Sequence, residues 1–522
     1  MILGFVVLAL VLLSSSPIRC ANILFSCGSI DGSHIFAGLI IGEHLVSRGH
    51  NVTILVTNAY LHHTKDPHYS KFFNYEVLHL KRTPEEVVET NQWVAYAANS
   101  GHLLWKLLTE PPDVAGCLRS DCEALLDDAE LVRRLNDTHY DLFLLDNFFP
   151  CGFILAALLD VQVSMLGPTT WDPEFGNLIG TPSYPGTITT FQIGFPSYKM
   201  TFFQRVINVL CSKVFVPSVI FSSVLNSFMH ERGLPYTLEQ VYGRAELFLA
   251  NIDFAFLEPL PLMPNIIPVG GLSTKPSKPL RNDLEAFVQS SGDAGIVVFS
   301  LGTYVTHMKR ELVEIFAEAF SRIPQKVIWQ FRGTPPDTVK KRSNILTLEW
   351  LPQNDLLGHN KTRAFVYQGG NNGLHEALYH AVPIIVVPFF GDQNDVAARI
   401  VAREIGIAVD FTKMTTASLT GHLKSIVQDK KYKLAMLRLS SIYHDRPQRP
   451  LERAAFWIEH VTKHGGDYMK SPVNDISWYQ YYLLDVISFL AGVFSMVLLV
   501  IFCIIRCVCK LWKKPYAKRR DE

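Results

Sequence analysis

Short, unbroken apolar runs recur along the chain, each closed by glycine or a polar turn. Segments 22–26, 51–56, 142–145, 295–300, 327–330 and 364–367 are of this kind. They do not alternate apolar with polar positions, which marks strands buried on both faces of a parallel sheet. Segments 35–47, 313–320, 374–380 and 452–464 instead carry a helical period, and Gly49 supplies a helix C-terminal stop after the first. Strand, helix and strand in succession, in two halves without internal sequence repeat, predict an α/β chain with two parallel-sheet domains.

The most informative unit runs from Trp350 to Gln393. A buried run, 364–367, is broken by Gln368-Gly369-Gly370-Asn371-Asn372-Gly373, a helical stretch follows, and 381–390 is a second apolar run ending in Gly391-Asp392-Gln393. This is one βαβ unit with its glycine turn at a helix N-terminus, where unpaired N–H groups and the helix dipole favour a phosphate. Glycines alone are weak evidence, since any tight turn of this kind uses them. Their company is stronger: Trp350 offers a flat face for a base, Glu376 lies about one turn inside the helix, and Asp392 and Gln393 follow the next run. These are the parts needed to hold the base, ribose, diphosphate and sugar of a nucleotide sugar.

Punctuation along the chain suggests the organisation. Segment 21–260 reads as the first domain, and the proline cluster of 261–280 as a linker. Segment 281–445 reads as the second domain, and 446–475 carries a helix expected to return to the first. Residues 170–230 mix Gly, Pro and aromatics and read as loops and short helices. They either wall an apolar pocket, together with 60–120, or lie against a membrane.

Two hydrophobic segments concern membranes. Residues 1–20 read as a secretory signal peptide. Segment 486–505 is long and apolar enough to cross a bilayer, and the tail 506–522 begins with Arg506, Lys510, Lys513 and Lys514. By the positive-inside tendency the tail is cytosolic and the bulk lumenal, a single-pass type I arrangement. Asn51, Asn136 and Asn360 open glycosylation triplets in that compartment. Cys27, Cys117, Cys122, Cys151 and Cys211 are available to pair, Cys117 and Cys122 being nearest in sequence, with the pairing open; their spacing fits no zinc pattern. Cys503, Cys507 and Cys509 sit at the cytosolic edge, as acylation sites or plain apolar filler. With 48 basic and 48 acidic residues in 522, nucleic acid is not an expected partner.

His34 follows the first apolar run and Asp146 ends a later one, so both fall at the carboxyl ends of strands, where open α/β sheets bind ligands. A histidine there is more often structural. Paired with a carboxylate on its other ring nitrogen, it would serve as a general base near neutral pH.

The segment Trp350-Leu-Pro-Gln353-Asn-Asp-Leu-Leu-Gly-His359, with Gly369-Gly370, Asn372, Glu376 and Gly391-Asp392-Gln393, resembles the signature of the UDP-glycosyltransferases of family GT1, most nearly the animal membrane-bound UDP-glucuronosyltransferases. The likeness extends through Asp31-Gly-Ser-His34, Phe149-Pro-Cys151, Val269-Gly-Gly-Leu272 and Phe299-Ser-Leu-Gly302. It implies the GT-B fold, two Rossmann-like domains facing a cleft, plus one C-terminal transmembrane helix. Trp350 would stack on uracil, with Gln353 near the uridine and Glu376 on the ribose hydroxyls. Ser300, Gly302, Thr303, Gln368, Gly370, Asn372 and Gly373 would hold the diphosphate, and Asp392 and Gln393 would read the transferred sugar. His34, backed by Asp146, would deprotonate a small lipophilic acceptor, giving a β-glucuronide with inversion. No cofactor or metal is implied, only the UDP-sugar donor; the chain has no Asp-x-Asp triplet. The resemblance also implies residence in the endoplasmic reticulum membrane, a role in detoxification, and homo- or hetero-oligomers with related transferases.

One position departs from the family pattern. Gln368 stands where a histidine usually precedes the glycine pair, and Tyr367 where threonine or serine does. A neutral donor there predicts a slower or more selective enzyme. UDP-glucose, UDP-galactose and UDP-N-acetylglucosamine are alternative donors, and a catalytically weak partner subunit is the alternative from another class.

Overall fold

The computed structural model describes residues 20–99 and 113–512, apart from 172, 183, 191–192, 196–198, 215–216 and 306–307. The signal-peptide segment up to residue 19 and the tail beyond Trp512 lie outside the described residues. Two sheets are built entirely of parallel pairs. The first has the order β3-β2-β1-β4-β5-β6-β7, from β1 (Asn22–Ser26), β2 (Asn51–Thr57), β3 (Asn74–Leu78), β4 (Leu142–Asp146), β5 (Val163–Gly167), β6 (Ala245–Ala250) and β7 (Ile266–Pro268). The second has the order β10-β9-β8-β11-β12-β13, from β8 (Ile296–Ser300), β9 (Lys326–Gln330), β10 (Ile345–Leu348), β11 (Thr362–Tyr367), β12 (Ile384–Val386) and β13 (Gly406–Ala408).

The strand orders explain where a site can form. In the first sheet the chain runs outward through β1, β2 and β3, then returns to the other side of β1 with β4. In the second it runs through β8, β9 and β10, then crosses back to β11 beside β8. At each reversal two successive loops leave adjacent strands in opposite directions, opening a crevice at the carboxyl edge. The β1 and β4 crevice receives His34 and Asp146. The β8 and β11 crevice receives residues 301–303 and 368–370.

Helix α1 (Ser33–Ser47) covers the first sheet. Helix α2 (Val114–Asp127) is tied to α3 (Pro150–Leu159) by a Cys122–Cys151 disulfide. The nearest pair in sequence is therefore not the bonded one. Cys27, Cys117 and Cys211 remain thiols. Residues 201–231 are more regular than loops and short helices: α4 (Phe202–Val214) is followed by a second helix, Pro217–Glu231. The proline cluster of 261–280 is not all linker, since β7 lies inside it. Pro268 is tolerated because β7 is an edge strand with no outer neighbour to receive an N–H.

In the second half, α5 (Asn371–Tyr379) begins three residues before the apolar period does, because polar Asn371 and Asn372 form its first turn. The run 381–390 yields only the three-residue β12; Val387 makes one last bond to β11, its N–H donating to the Tyr367 carbonyl at 2.8 Å, and Phe389 is buried beyond the ladder, its N–H taken by Gln393. Helix α6 (Gln393–Ala402) starts at Gln393, directly after Asp392. Helix α7 (Pro450–His464) lies on α1 and β6, burying Ala454, Ala455, Ile458 and Val461 in the core of the first sheet. Glu459 fixes it there, accepting from Arg48 Nε and Nη2 at 2.6 and 2.7 Å and lying 3.0 Å from His50 Nε2.

Residues up to Lys470 form one compact unit and those from Ser471 a second. The second contains α8 (Leu484–Trp512), which is 29 residues long rather than the twenty of the apolar core. At 1.5 Å per residue it spans about 43 Å, so Arg506 and Lys510 extend beyond a hydrocarbon layer of about 30 Å. Asn51, Asn136 and Asn360 are all exposed.

The two halves meet through a buried polar network centred on Asn251, just after β6. Its carbonyl accepts from Asn371 Nδ2 at 2.7 Å and lies 3.2 Å from His375 Nε2, whose Nδ1 is 3.1 Å from the Tyr443 hydroxyl. Arg399 on α6 pairs with Glu258 at 2.7 Å, both largely buried. Burial pushes His375 down to about 3, so it is neutral in the folded chain. Its contribution to stability is complete above the ordinary histidine range and fades as pH falls through it toward 3. Replacing His375 by alanine empties a buried site and strips two partners, and is expected to cost roughly 2–4 kcal/mol in denaturant unfolding. A loss below about 0.5 kcal/mol would show that the network contributes nothing.

Candidate active site

His34 sits in the first turn of α1, and Asp146 is the last residue of β4. Because β1 and β4 are hydrogen-bonded neighbours, the two side chains meet: His34 Nδ1 lies 2.8 Å from Asp146 Oδ2, both buried. The other Asp146 oxygen accepts the Phe148 N–H at 2.9 Å, which fixes the carboxylate plane. Phe148 also places its ring edge-on to the imidazole at 5.6 Å. With Nδ1 committed to the carboxylate, Nε2 is the nitrogen left to take a proton.

His34 and Phe148 line one side of a cleft of about 1180 Å³, and Trp350, Gln353, Glu376 and Asp392 line the other. Trp350 leaves 59% of its surface exposed, an open indole face on which a base can lie. Gln353 donates to Glu376 Oε2 at 2.6 Å. Burial raises the Glu376 carboxyl to about 7, against the pull of the Gln353 N–H and the Lys275 charge.

The turn expected to hold phosphate is built from both loops of the β8 and β11 crevice. Gly302 adopts φ +72°, and a Cβ there would fall 2.2 Å from Gln368 Nε2. The same nitrogen is 2.8 Å from where a Cβ on Gly370 would stand. The Gln368 amide thus lies over two glycines, and either one replaced by alanine would displace it. The Ser300 hydroxyl is turned inward, donating to Gln330 Oε1 at 2.6 Å and accepting from Gly302 N at 3.2 Å, so it shapes the turn. Asn372 and Gly373 follow at the start of α5, and the Asn372 amide oxygen accepts from Asn251 Nδ2 at 3.1 Å.

At the sugar end, Asp392 accepts from Thr170 N at 3.1 Å, and burial raises its carboxyl while that N–H and the nearby His34 pull it down. The Gln393 amide oxygen is taken by the Phe389 and Phe390 N–H groups at 2.8 and 3.2 Å, leaving its NH₂ as the group free to turn toward the cleft. All twelve donor-side residues and the His34–Asp146 pair therefore collect around one cleft, with Ser300 and Gln393 partly spent on the protein itself. Of the two segments expected to wall an acceptor pocket, the first contributes His68, Tyr69 and Asn91 to this cleft, and the second none of its described residues. Instead, α4 exposes Phe202, Phe203, Ile207 and Leu210 on the protein surface.

Several participants carry no sequence signal because their partners are remote. Tyr304 donates its hydroxyl to the Asp31 carbonyl at 2.7 Å, joining the loop before His34 to the loop after β8. The Asp31 carboxylate lies 2.7 Å from His63 Nε2, and Asn91 donates to the Ser29 carbonyl at 2.6 Å. Both contacts hold the loop that carries His34.

Two Rossmann-like sheets with crevices facing one cleft, one holding a buried His–Asp pair and the other a glycine turn at a helix N-terminus, define the GT-B class of fold. The fold is shared with the glycosyltransferase of kitacinnamycin (TM-score 0.58, 18% identity, 85% of this chain and 99% of that one). It is shared likewise with CalG4, the calicheamicin glycosyltransferase (TM-score 0.56, 18% identity, the same coverage). The family model described as UDP-glucoronosyl and UDP-glucosyl transferase matches residues 24–520, and the chain belongs to that family. Relatives include UDP-glucuronosyltransferase 2B18 of Macaca fascicularis, 35% identical over 95% of this chain and 96% of that protein. UDP-glucuronosyltransferase 2B7 of Homo sapiens is 34% identical with the same coverage.

Proposed function

We propose that the protein transfers glucuronic acid from UDP-glucuronate to small lipophilic acceptors with inversion, giving β-D-glucuronides. The observation that carries this is the buried His34–Asp146 pair at 2.8 Å on the wall of a cleft whose other wall is the nucleotide cradle. His34 Nε2 takes the proton of the acceptor hydroxyl as its oxygen attacks the anomeric carbon, and the bond to UDP breaks on the opposite face. Asp146 holds the tautomer and stabilises the imidazolium. Trp350 stacks on uracil, the ionised Glu376 accepts from the ribose hydroxyls, and the N–H groups of the glycine turn with Gln368 receive the charge that develops on the diphosphate. Asp392 and the Gln393 amide contact the sugar. The glucuronate assignment is supported by the relatives, which are UDP-glucuronosyltransferases, and the lipophilic acceptor by the apolar side chains Phe36, Ile40 and Phe148 along the cleft. We place the catalytic unit in the lumen of the endoplasmic reticulum with α8 as its anchor, on the strength of the basic residues that close α8.

A panel of UDP-sugars offered to the full chain in microsomes is the test of donor, and exclusive use of UDP-glucose would exclude the glucuronate reading. In the same assay Gln368→His is expected to raise kcat several-fold, because a charged donor to an anion is worth more than a neutral one by about 1 kcal/mol. Unchanged turnover with every donor would show that residue 368 does not feel the leaving charge.

A further inference from the structure

Among the described residues around the turn, the cleft presents no cation: Ser300, Gly302, Thr303, Gln368, Gly370, Asn372 and Gly373 are all neutral. The lysines of the cleft lie elsewhere, and Lys275 acts on Glu376, at the ribose end. A departing diphosphate nonetheless gains negative charge, and neutral dipoles alone must then bear it.

Behind the turn stands Arg332, two residues past β9, in a small hollow shared with Gly302, Val305, Met308 and Gln330. Its Nη1 donates to the Thr303 carbonyl at 3.1 Å. It is half-buried, and among the described residues no carboxylate forms an ion pair with it. The charges of Asp31 and Glu349 reach it only through space, and Asp31 is already bonded to His63. A half-buried guanidinium with no carboxylate in direct contact is incompletely compensated, and a visiting anion improves its balance. The hydrogen bond also sets geometry: a trans peptide aims its N–H opposite to its C=O, so holding the Thr303 carbonyl toward Arg332 fixes the Tyr304 N–H the other way. Tyr304 is in turn held from the front by its bond to the Asp31 carbonyl.

We propose that Arg332 is the positioning residue of the diphosphate turn: through the Thr303 carbonyl it fixes the 302–304 backbone, and from behind that backbone it lends the turn the positive charge its own side chains lack. The ligand it serves is the diphosphate of the UDP-sugar, so the proposal rests on the function given above. Arg332 does not itself touch the substrate.

Calorimetric titration of the full detergent-solubilised chain with UDP, UMP and uridine tests this. Arg332→Met is expected to weaken UDP by about tenfold, UMP by less, and uridine by less than about twofold, because only the phosphates feel the charge. Steady-state kinetics should show kcat falling along with donor affinity, since the charge matters most as UDP leaves. Arg332→Lys, which keeps the charge, should recover most of the UDP affinity, and adding Gln368→His to Arg332→Met should recover kcat by restoring a cation on the other side of the turn. An unchanged ratio of UDP to uridine affinity in Arg332→Met, or equal losses for both ligands, would overturn the proposal. A thermal melt and the lysine variant separate these outcomes from misfolding. Wild-type protein that binds no UDP at all would instead overturn the function itself, and this proposal with it.

Discussion

Replacing His34 by alanine is expected to lower kcat by about 10²- to 10⁴-fold while UDP affinity stays within about twofold. The imidazole stands on the first-sheet wall and the proposed nucleotide cradle on the other, so deleting the imidazole leaves Trp350, Gln353 and Glu376 untouched. Asp146→Asn should likewise leave UDP affinity within about twofold and be severe in its effect on rate. The amide can still meet His34 Nδ1 at the observed 2.8 Å, but it favours the wrong tautomer and gives the imidazolium no compensating charge. Product formation in a single turnover, with calorimetric UDP binding on the same samples, checks both. A His34→Ala enzyme retaining more than about a tenth of wild-type turnover would remove the histidine from the chemistry and restore the partner-subunit reading.

The second large effect is expected at Glu376. Its carboxyl is raised to about 7 by burial, whereas the unfolded chain leaves it near 4.5. The folded state therefore binds a proton that the unfolded state gives up between those values. This contribution to stability is complete below about 4.5 and is lost as pH rises through 7. The full interval amounts to something on the order of 3 kcal/mol. Above pH 7 the nucleotide-free protein keeps a poorly solvated carboxylate, which is the form able to accept from a ribose diol. Glu376→Gln should consequently raise the melting temperature of the nucleotide-free chain at pH 8 more than at pH 6. It should also weaken UDP and uridine alike by about 10- to 100-fold, and abolish the wild-type gain in donor affinity as pH rises through 7. Melting curves and titrations at the two pH values give the answer. If the variant bound UDP as tightly as the wild type at pH 8, the ribose assignment would fail.

How much of this could be read from residues alone varied with the range of the forces involved. The buried strands were legible because both faces of a parallel sheet are covered, which leaves continuous apolar runs such as 142–145 and 364–367. The glycine turns were legible because their backbone geometry demands glycine: Gly302 and Gly369 take φ of +72° and +104°. His34 and Asp146 could each be placed at a strand end, but their meeting depends on β1 and β4 being neighbours, and strand order is a property of the whole sheet. Apolar runs overstate pairing where burial comes from packing, so 381–390 gave a three-residue β12. The disulfide joined two helices far apart in sequence instead of the adjacent cysteines. Arg332, Tyr304 and Asn251 gave no signal at all, since each acts on a backbone group of a distant loop. The proline rule misled at β7 because an edge strand excuses what a central strand forbids.

Helix α7 has a bearing on how such enzymes can be recombined. The chain leaves the first sheet at β7, builds the entire second half, and then comes home to lay α7 across α1, with Glu459 gripping Arg48 and His50. The half that carries His34 is thus discontinuous in the sequence. A chimera that exchanges acceptor halves between two relatives at a single crossover would marry one parent's α1 to the other's α7, and would inherit a mismatched seam of Ala454, Ala455, Ile458 and Val461. Two crossovers, one after β7 and one before Pro450, are the natural cuts, and by the same logic the first half expressed without its last helix would be a protein with an open wound rather than a domain.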